Sequence, residues 1–342
     1  MSEGKNHSIP RLEDVARRSG VSIATVSRTL NTPAVVSPTT RERVLNVVKD
    51  LGYSPNFVAQ ALVANRTNTF GAVIPTMENA IFARGIQSFE EALSENGINL
   101  LVASSSYDAE REERQIRSLV ARGAEAMLLI GHDRNQEIYS FLHQRQIPFV
   151  ITWAFDRSKL EASIGFDNRE AFKALAYEVL KLGHVNIGFI SAKQDGNDRA
   201  RERLLGLRDA VEEFGLDPTT IMVHEEKYSI QNGAAAFTKM MQEPVPPTVV
   251  LCGNDVFAVG ATMAANTLGI NVPRDVSSTG FDDIEISEIV SPALTTVHVP
   301  HRTMGVESAQ YLLNLRNGSE PFKSKKLNTH IKWRETLGAA RA

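Results

Sequence analysis

The 342 residues read as an α/β chain, with a small all-helical head followed by a body of parallel sheets in two lobes. Three observations predict it. Two short helical patterns joined at a glycine turn open the chain. From Phe70 onward, short apolar runs alternate with amphipathic helices, the pattern of parallel strands joined by crossovers. Charge divides at the same place. Residues 1–66 hold 9 Lys+Arg and 5 Asp+Glu, a net +4, which leaves −7 on the remainder of a chain whose total is −3. A basic head on an acidic body is what a chain needs when only the head meets phosphate.

The head begins with Leu12, Val15 and Ala16 at helical spacing. Gly20 accepts the left-handed conformation of a sharp helix exit. Ser22 is a good N-cap for a second helix, and Val26 and Leu30, four apart, face inward. This is a helix-turn-helix. Ser22, Ile23, Ala24, Thr25, Ser27 and Arg28 then lie at the start and on the outside of the second helix, where such motifs meet base edges in the major groove. Arg28 suits a bidentate contact to guanine. Ser27 and Thr25 serve phosphates or bases, while Ile23 and Ala24 offer apolar contact only. The bland alternative is an ordinary helical hairpin with a basic face.

Ser37-Pro38 reads as an N-cap with proline at the first helical position. Val44, Leu45, Val47, Val48 and Leu51 form the apolar stripe of a third helix, closed by Gly52. Residues 53–66, starting Tyr53-Ser54-Pro55-Asn56, then read as a short helix too poor in apolar anchors to fold alone.

With Asp14-Val15-Ala16, Gly20-Val21-Ser22, Thr25-Val26-Ser27-Arg28, Asn31, Tyr53-x-Pro55-Asn56 and Ala59-x-x-Leu62 in place, the chain resembles the lactose-repressor (LacI/GalR) family of bacterial transcription regulators, over nearly its whole length. The resemblance implies that residues 1–66 are a DNA-binding domain ending in a hinge helix at about 56–64. This helix folds only on operator DNA, with Leu62 as an apolar wedge in the minor groove. Partial unstacking by such a wedge kinks the duplex and enlarges the contact. Asn31, Tyr53, Asn56 and Ala59 join the DNA-contacting set on the same grounds. A plain hydrophobic linker residue is the alternative for Leu62.

In the body, strand-like runs are Phe70–Ile74, Asn99–Ala103, Ala126–Ile130, Phe149–Thr152, Val185–Ile190, Ile221–His224, Thr248–Cys252 and Val276–Phe281. The intervening helical patterns end at Gly97, Gly123, Gly183, Gly215 and Gly269. Eight units exceed one small open sheet, and a break near Gly165–Asn168 suggests two lobes. The resemblance implies a periplasmic-binding-protein-like body, residues 67–342, crossed three times by the chain. Lobe one would hold about 67–166 and 299–325, and lobe two about 167–298 and 326–342.

Ligands of open α/β sheets sit at the carboxyl ends of strands, so the effector site should lie between the lobes. The resemblance assigns Arg203 as donor to ligand hydroxyls or a carboxylate, a role its fork geometry suits. It also assigns Asn254 as a ligand contact and Asp282 as an acceptor. Beside them, Arg201 is the nearest alternative to Arg203 and reads as structural, as does Asp283, while a cap of the next helix is the alternative for Asp255. Phe82, Trp153, Asp167 and Tyr228 match further ligand-facing positions, although each has a core role as its alternative. Aromatic faces among Asp, Asn and Arg favour a sugar or sugar acid, with a purine behind them.

Other functions find little support. There is no Gly-x-Gly-x-x-Gly, Walker loop or Gly-x-Ser-x-Gly elbow, so the chain is not read as an enzyme, and no cofactor is implied. His298-x-x-His301 lacks the neighbours of a metal pair. Asp282-Asp283 has no nucleophile beside it. The lone Cys252 fits a reducing, cytoplasmic setting. No run approaches membrane-spanning length, and Met1–Pro10 lacks a signal-peptide core. A sugar-binding transport protein with the same body, or an architectural DNA-binding protein, are the rival readings. The first has no use for the head, and the second none for the body. The expected partners are a palindromic operator, a small-molecule effector and a second copy of the chain in a homodimer.

Overall fold

The structure, a computed structural model, describes residues 9–54, 66–78, 80–319 and 324–341. Asn56, Ala59 and Leu62 therefore lie outside the described residues, as does the expected hinge helix. Two compact units meet at Thr67 and Asn68.

The head is three helices, α1 (Leu12–Ser19), α2 (Ile23–Asn31) and α3 (Pro38–Leu51). Val15, Val26 and Val44, one from each, are fully buried and share one small core. Gly20 closes α1 at φ 67°. Ser22 caps α2 and Ser37 caps α3 through their side-chain oxygens. Leu45 departs from expectation: it is 42% exposed. It sits about 100° around the helix from Val44, on the side that Val47, Val48 and Leu51 do not share.

The body has β1 (Thr69–Ile74), α4 (Ala83–Ser94), β2 (Asn99–Ser104), α5 (Ala109–Ala121), β3 (Met127–Ile130), α6 (Gln136–Gln144), β4 (Phe149–Thr152) and β5 (Ser163–Gly165). The chain continues through α7 (Asn168–Lys181), β6 (Ile187–Ala192), α8 (Asp198–Glu213), β7 (Met222–Glu226), α9 (Ile230–Met241), β8 (Val249–Cys252), α10 (Asp255–Leu268) and β9 (Ser277–Thr279). It ends with α11 (Ile286–Ile289), β10 (Thr296–His298), α12 (His301–Arg316), β11 (Lys325–Lys326) and β12 (His330–Lys332).

One sheet has the order β11-β5-β4-β3-β1-β2 and the other β7-β6-β8-β9. Every pair in both is parallel, while β10 and β12 pair antiparallel. The eight expected strands are present, with ends shifted by a few residues. Val185, taken as the start of one, is exposed, and that strand begins at Ile187. The short β5 and β11 carry too few residues to show any periodicity, and sequence reading missed them.

In each sheet the order reverses beside the first strand, between β1 and β3 and between β6 and β8. A crevice opens at such switch points, outside the carboxyl ends of the strands. The loops there are those after β1 and β3 on one lobe, and those that begin α8 and α10 on the other.

Helices α4 and α12 cross at glycines. A Cβ on Gly305 would collide with the Gly85 carbonyl and the Ser88 hydroxyl and would lie 2.9 Å from Phe89 N. Gly305→Val is therefore expected to lower unfolding free energy by roughly 1–3 kcal/mol, the usual cost of overpacking. Urea denaturation followed by far-UV circular dichroism would show this. An unchanged midpoint would mean the two helices have room to separate.

Candidate functional site

On α2, burial sorts the side chains as a reading helix requires. Val26 and Thr29 face the core, whereas Ser22, Ile23, Ala24, Arg28 and Asn31 are exposed, and Thr25 and Ser27 are half-buried. Thr29 fixes its own place by donating to the Thr25 carbonyl at 2.8 Å. The Ser22 hydroxyl accepts from Thr25 N at 3.2 Å and lies 2.9 Å from the Thr25 hydroxyl, so Thr25 is partly occupied by the cap. Asn31 Nδ2 donates to Ser27 Oγ at 3.3 Å. The Arg28 side chain has no hydrogen bond or ion pair among the described residues, whereas Arg17 pairs with Asp14. Tyr53 packs against the head core, and partial burial raises its hydroxyl pKa.

In the body, the strand ends carry an unusual density of strained and unpaired groups. Tyr107, Trp153, Asp282 and Asp283 all have positive φ, 59°, 58°, 109° and 55°. Such conformations persist only where the surroundings hold them. Asp282 is fully buried. Neither carboxylate oxygen has a hydrogen-bond partner among the described residues, and burial pushes its pKa up to about 7. Asn254 is also fully buried. Its Oδ1 caps α10 by accepting from Phe257 N at 2.9 Å, and its Nδ2 has no partner among the described residues. Buried polar groups are nearly always satisfied, and these two residues depart from that rule beside one crevice.

Arg203 lies between them and is more heavily committed than a ligand donor need be. Its Nε donates to Asn168 Oδ1 at 2.9 Å, and one terminal nitrogen donates to the Gly253 carbonyl. The other stands 3.6 Å from Asp282, and the guanidinium lies 3.8 Å from the Phe281 ring centre. Asn168 Nδ2 in turn donates to the Trp153 carbonyl at 2.9 Å. A continuous chain of contacts thus runs from β4 through α7 to α8 and Asp282.

The weaker candidates separate. Phe82 and Trp153 are buried, with rings edge-to-face at 5.3 Å, and the Trp153 indole donates to His301 Nδ1 at 3.1 Å. Both side chains belong to the buried core cluster. Asp167 caps α7 by accepting from Glu170 N at 2.9 Å, and it lines a cavity of about 660 Å³. Tyr228 stacks on Phe257 at 5.1 Å and faces Tyr107 of the other lobe at 5.4 Å. Asp255 is not the helix cap. Its carboxylate accepts from Ile284 N at 2.8 Å and from the Thr296 hydroxyl at 2.5 Å, fastening the Asp282 loop to α10.

The 660 Å³ cavity is lined from both lobes, by His132, Asp133, Ala154, Asp198, Arg199 and Arg201 among others. Arg201 clasps Asp133 with two bonds of 2.7 and 2.9 Å, and Asp198 accepts from His132 N at 2.5 Å. Sequence reasoning missed His132, Arg199 and Tyr107. Arg199 had a signal, since it precedes Arg203 by one helical turn. The other two had none, because their loops meet the site only after folding. His298 and His301 do not form a metal pair. His298 bonds Asp283 at 2.7 Å and His301 meets the Asp282 carbonyl at 3.1 Å. No cluster of three or more metal-binding side chains occurs among the described residues, and no described helix is long and apolar enough to cross a membrane.

Comparison with known proteins agrees with this division. Residues 11–56 match the model for bacterial regulatory proteins of the lacI family. Residues 176–337 match the periplasmic binding protein-like domain. The HTH-type transcriptional regulator DegA of Bacillus subtilis is 32% identical over 91% of this chain and 93% of its own. The HTH-type transcriptional repressor PurR of Vibrio cholerae is 32% identical over 88% and 90%. Among solved structures, the lac repressor dimer bound to operator and the anti-inducer ONPF superposes with a TM-score of 0.85, at 26% identity, covering 97% of this chain and 100% of that one.

Proposed function

The chain belongs to the lacI family of bacterial regulatory proteins and is a DNA-binding transcription regulator, not an enzyme, and from that premise we propose that it is a cytoplasmic homodimeric repressor. It would read a palindromic operator under the control of a sugar or sugar acid held between its lobes. Two-fold symmetry in the protein would match two half-sites in the DNA. Ser22, Ile23, Ala24, Thr25, Ser27, Arg28 and Asn31 would meet DNA from α2. Tyr53, Asn56, Ala59 and Leu62 would do so from the segment that follows α3. Asp282 and Asn254 would take effector hydroxyls, Arg203 would hold Asp282 in place, and Tyr228 and Asp167 would border the ligand.

The observation that supports the effector role is the fully buried Asp282 carboxylate and Asn254 Nδ2, neither with a hydrogen-bond partner among the described residues, at the switch-point crevice. Effector binding would change the angle between the lobes and so the pairing of the two hinge segments. Coupling of this kind is reciprocal, so an effector that weakens operator binding must itself bind the operator complex less well.

A thermal-shift screen against pentoses, hexoses, sugar acids, sugar phosphates and purines tests the reading. A ligand at a hundred times its Kd should add about 2.7 kcal/mol, and the gain should vanish in Asn254→Ala. The same ligand should then alter operator affinity in fluorescence anisotropy. A ligand whose effect survives Asn254→Ala would place the site elsewhere.

A further inference from the structure

We propose that the effector carries an anionic group, a carboxylate or a phosphate, and that Arg199 is the residue that selects it. The proposal rests on the inter-lobe site being the effector site, and it deepens that reading.

Arg199 and Arg203 lie four apart on α8 and so share one helix face. Both are buried, 7% and 4% exposed. They differ in what they have left to give. Arg203 uses Nε and one terminal nitrogen on protein acceptors and turns the other toward Asp282. The Arg199 side chain spends only Nη1, on Asp198 Oδ1 at 2.7 Å. Its Nε and Nη2 make no hydrogen bond among the described residues, and Arg199 borders the inter-lobe cavity. Those two nitrogens form one edge of the guanidinium, a fork that fits a two-oxygen anion. The same edge of Arg169 grips the Asp209 carboxylate at 2.6 and 2.8 Å in this structure.

The surroundings favour a ligand as the missing acceptor. Asp198, the one carboxylate on Arg199, is already divided among the Arg199 guanidinium, Arg199 N at 2.9 Å and His132 N at 2.5 Å. Asp282, which also feels the charge of Arg199, has its pKa raised by burial to about 7. Gly131 makes the arrangement possible. Its φ is 71°, and a Cβ there would collide with Arg199 Nη1 and Asp198 Oδ1. Next to it, His132 presents two ring nitrogens with no partner among the described residues, and burial lowers its pKa. A neutral imidazole there can both donate to and accept from a hydroxyl. The cavity thus has an anion fork on Arg199 and a hydroxyl partner, His132, beside it.

The test is calorimetric titration at fixed ionic strength with matched sets, glucose, gluconate, glucuronate and glucose 6-phosphate, and the galactose equivalents. Arg199→Gln and Arg199→Lys are compared with wild type, and retained operator binding confirms that each variant folds. An acidic ligand should bind at least tenfold more tightly than its neutral counterpart. Arg199→Gln should remove that preference, and Arg199→Lys should keep part of it. Preference for the sugar acid or the sugar phosphate identifies the anion. Inorganic phosphate and acetate provide an effector-independent arm, since either should stabilise wild type more than Arg199→Gln. A neutral sugar that binds as well as its acid, in both wild type and Arg199→Gln, would overturn the anion proposal and leave the effector site standing. Absence of every sugar, acid and inorganic-anion response would overturn both.

Discussion

Replacing Asp282 with Asn is expected to flatten the dependence of stability on pH by several kcal/mol. The folded-state pKa of Asp282 is about 7, raised by burial from 3.8. The folded chain therefore binds this proton more tightly than the unfolded chain does. Stability must fall as pH rises from about 4 through 7, and the loss is complete above that range. The rise corresponds to roughly 4 kcal/mol, an upper bound for a group beside Arg203. Asn cannot ionise and tolerates the positive φ of this position. At pH 4.5 variant and wild type should be nearly equally stable, and by pH 8 the variant should have gained several kcal/mol on wild type. Urea denaturation at pH 4.5, 6 and 8 measures this directly, and parallel curves would show that Asp282 ionises freely in the folded chain. The same variant should respond less to effector, because a charged acceptor is lost.

Arg28→Ala should lower operator affinity by about 1–3 kcal/mol while leaving random-sequence binding nearly unchanged, the signature of a lost base contact. Its guanidinium is exposed on the outer face of α2 and uncommitted to any described residue. Arg41→Ala, on α3, is the control. If Arg41 meets phosphate, affinity should fall on all sequences alike and the salt slope should drop by about one. Anisotropy titrations on operator and scrambled duplex, at several salt concentrations, separate the two. An equal loss on both duplexes for Arg28→Ala would move it to the phosphate-contacting class.

Much of this was visible in the residues. Most of the described head could be read, because its signals are local. Gly20 takes the left-handed turn, Ser22 caps, and Val15 and Val26 reach the core. Eight body strands were legible because each lies in a bounded apolar run. Strands β5 and β11 were not, since Ser163-Ile164-Gly165 and Lys325-Lys326 form no apolar run. Asn254 and Asp282 were named by resemblance and turn out to be fully buried, with the Asn254 amide nitrogen and the Asp282 carboxylate lacking hydrogen-bond partners among the described residues. Phe82 and Trp153 were found by the same route and are buried in core. Type and position alone do not say which way an aromatic faces.

The sequence by itself determined the head, the alternation of strands and helices, and the strand-end loops that bear chemistry. These follow from interactions within a few residues, where spacing is geometry. Only the tertiary structure decided which of those loops meet. It set His132 against Asp198, Tyr107 against Tyr228 and Asp133 against Arg201. It also committed Arg203 to protein acceptors while leaving an edge of Arg199 open. Hydrogen-bond satisfaction depends on the whole set of neighbours brought together by the crossovers of two sheets, and no window of sequence contains that set.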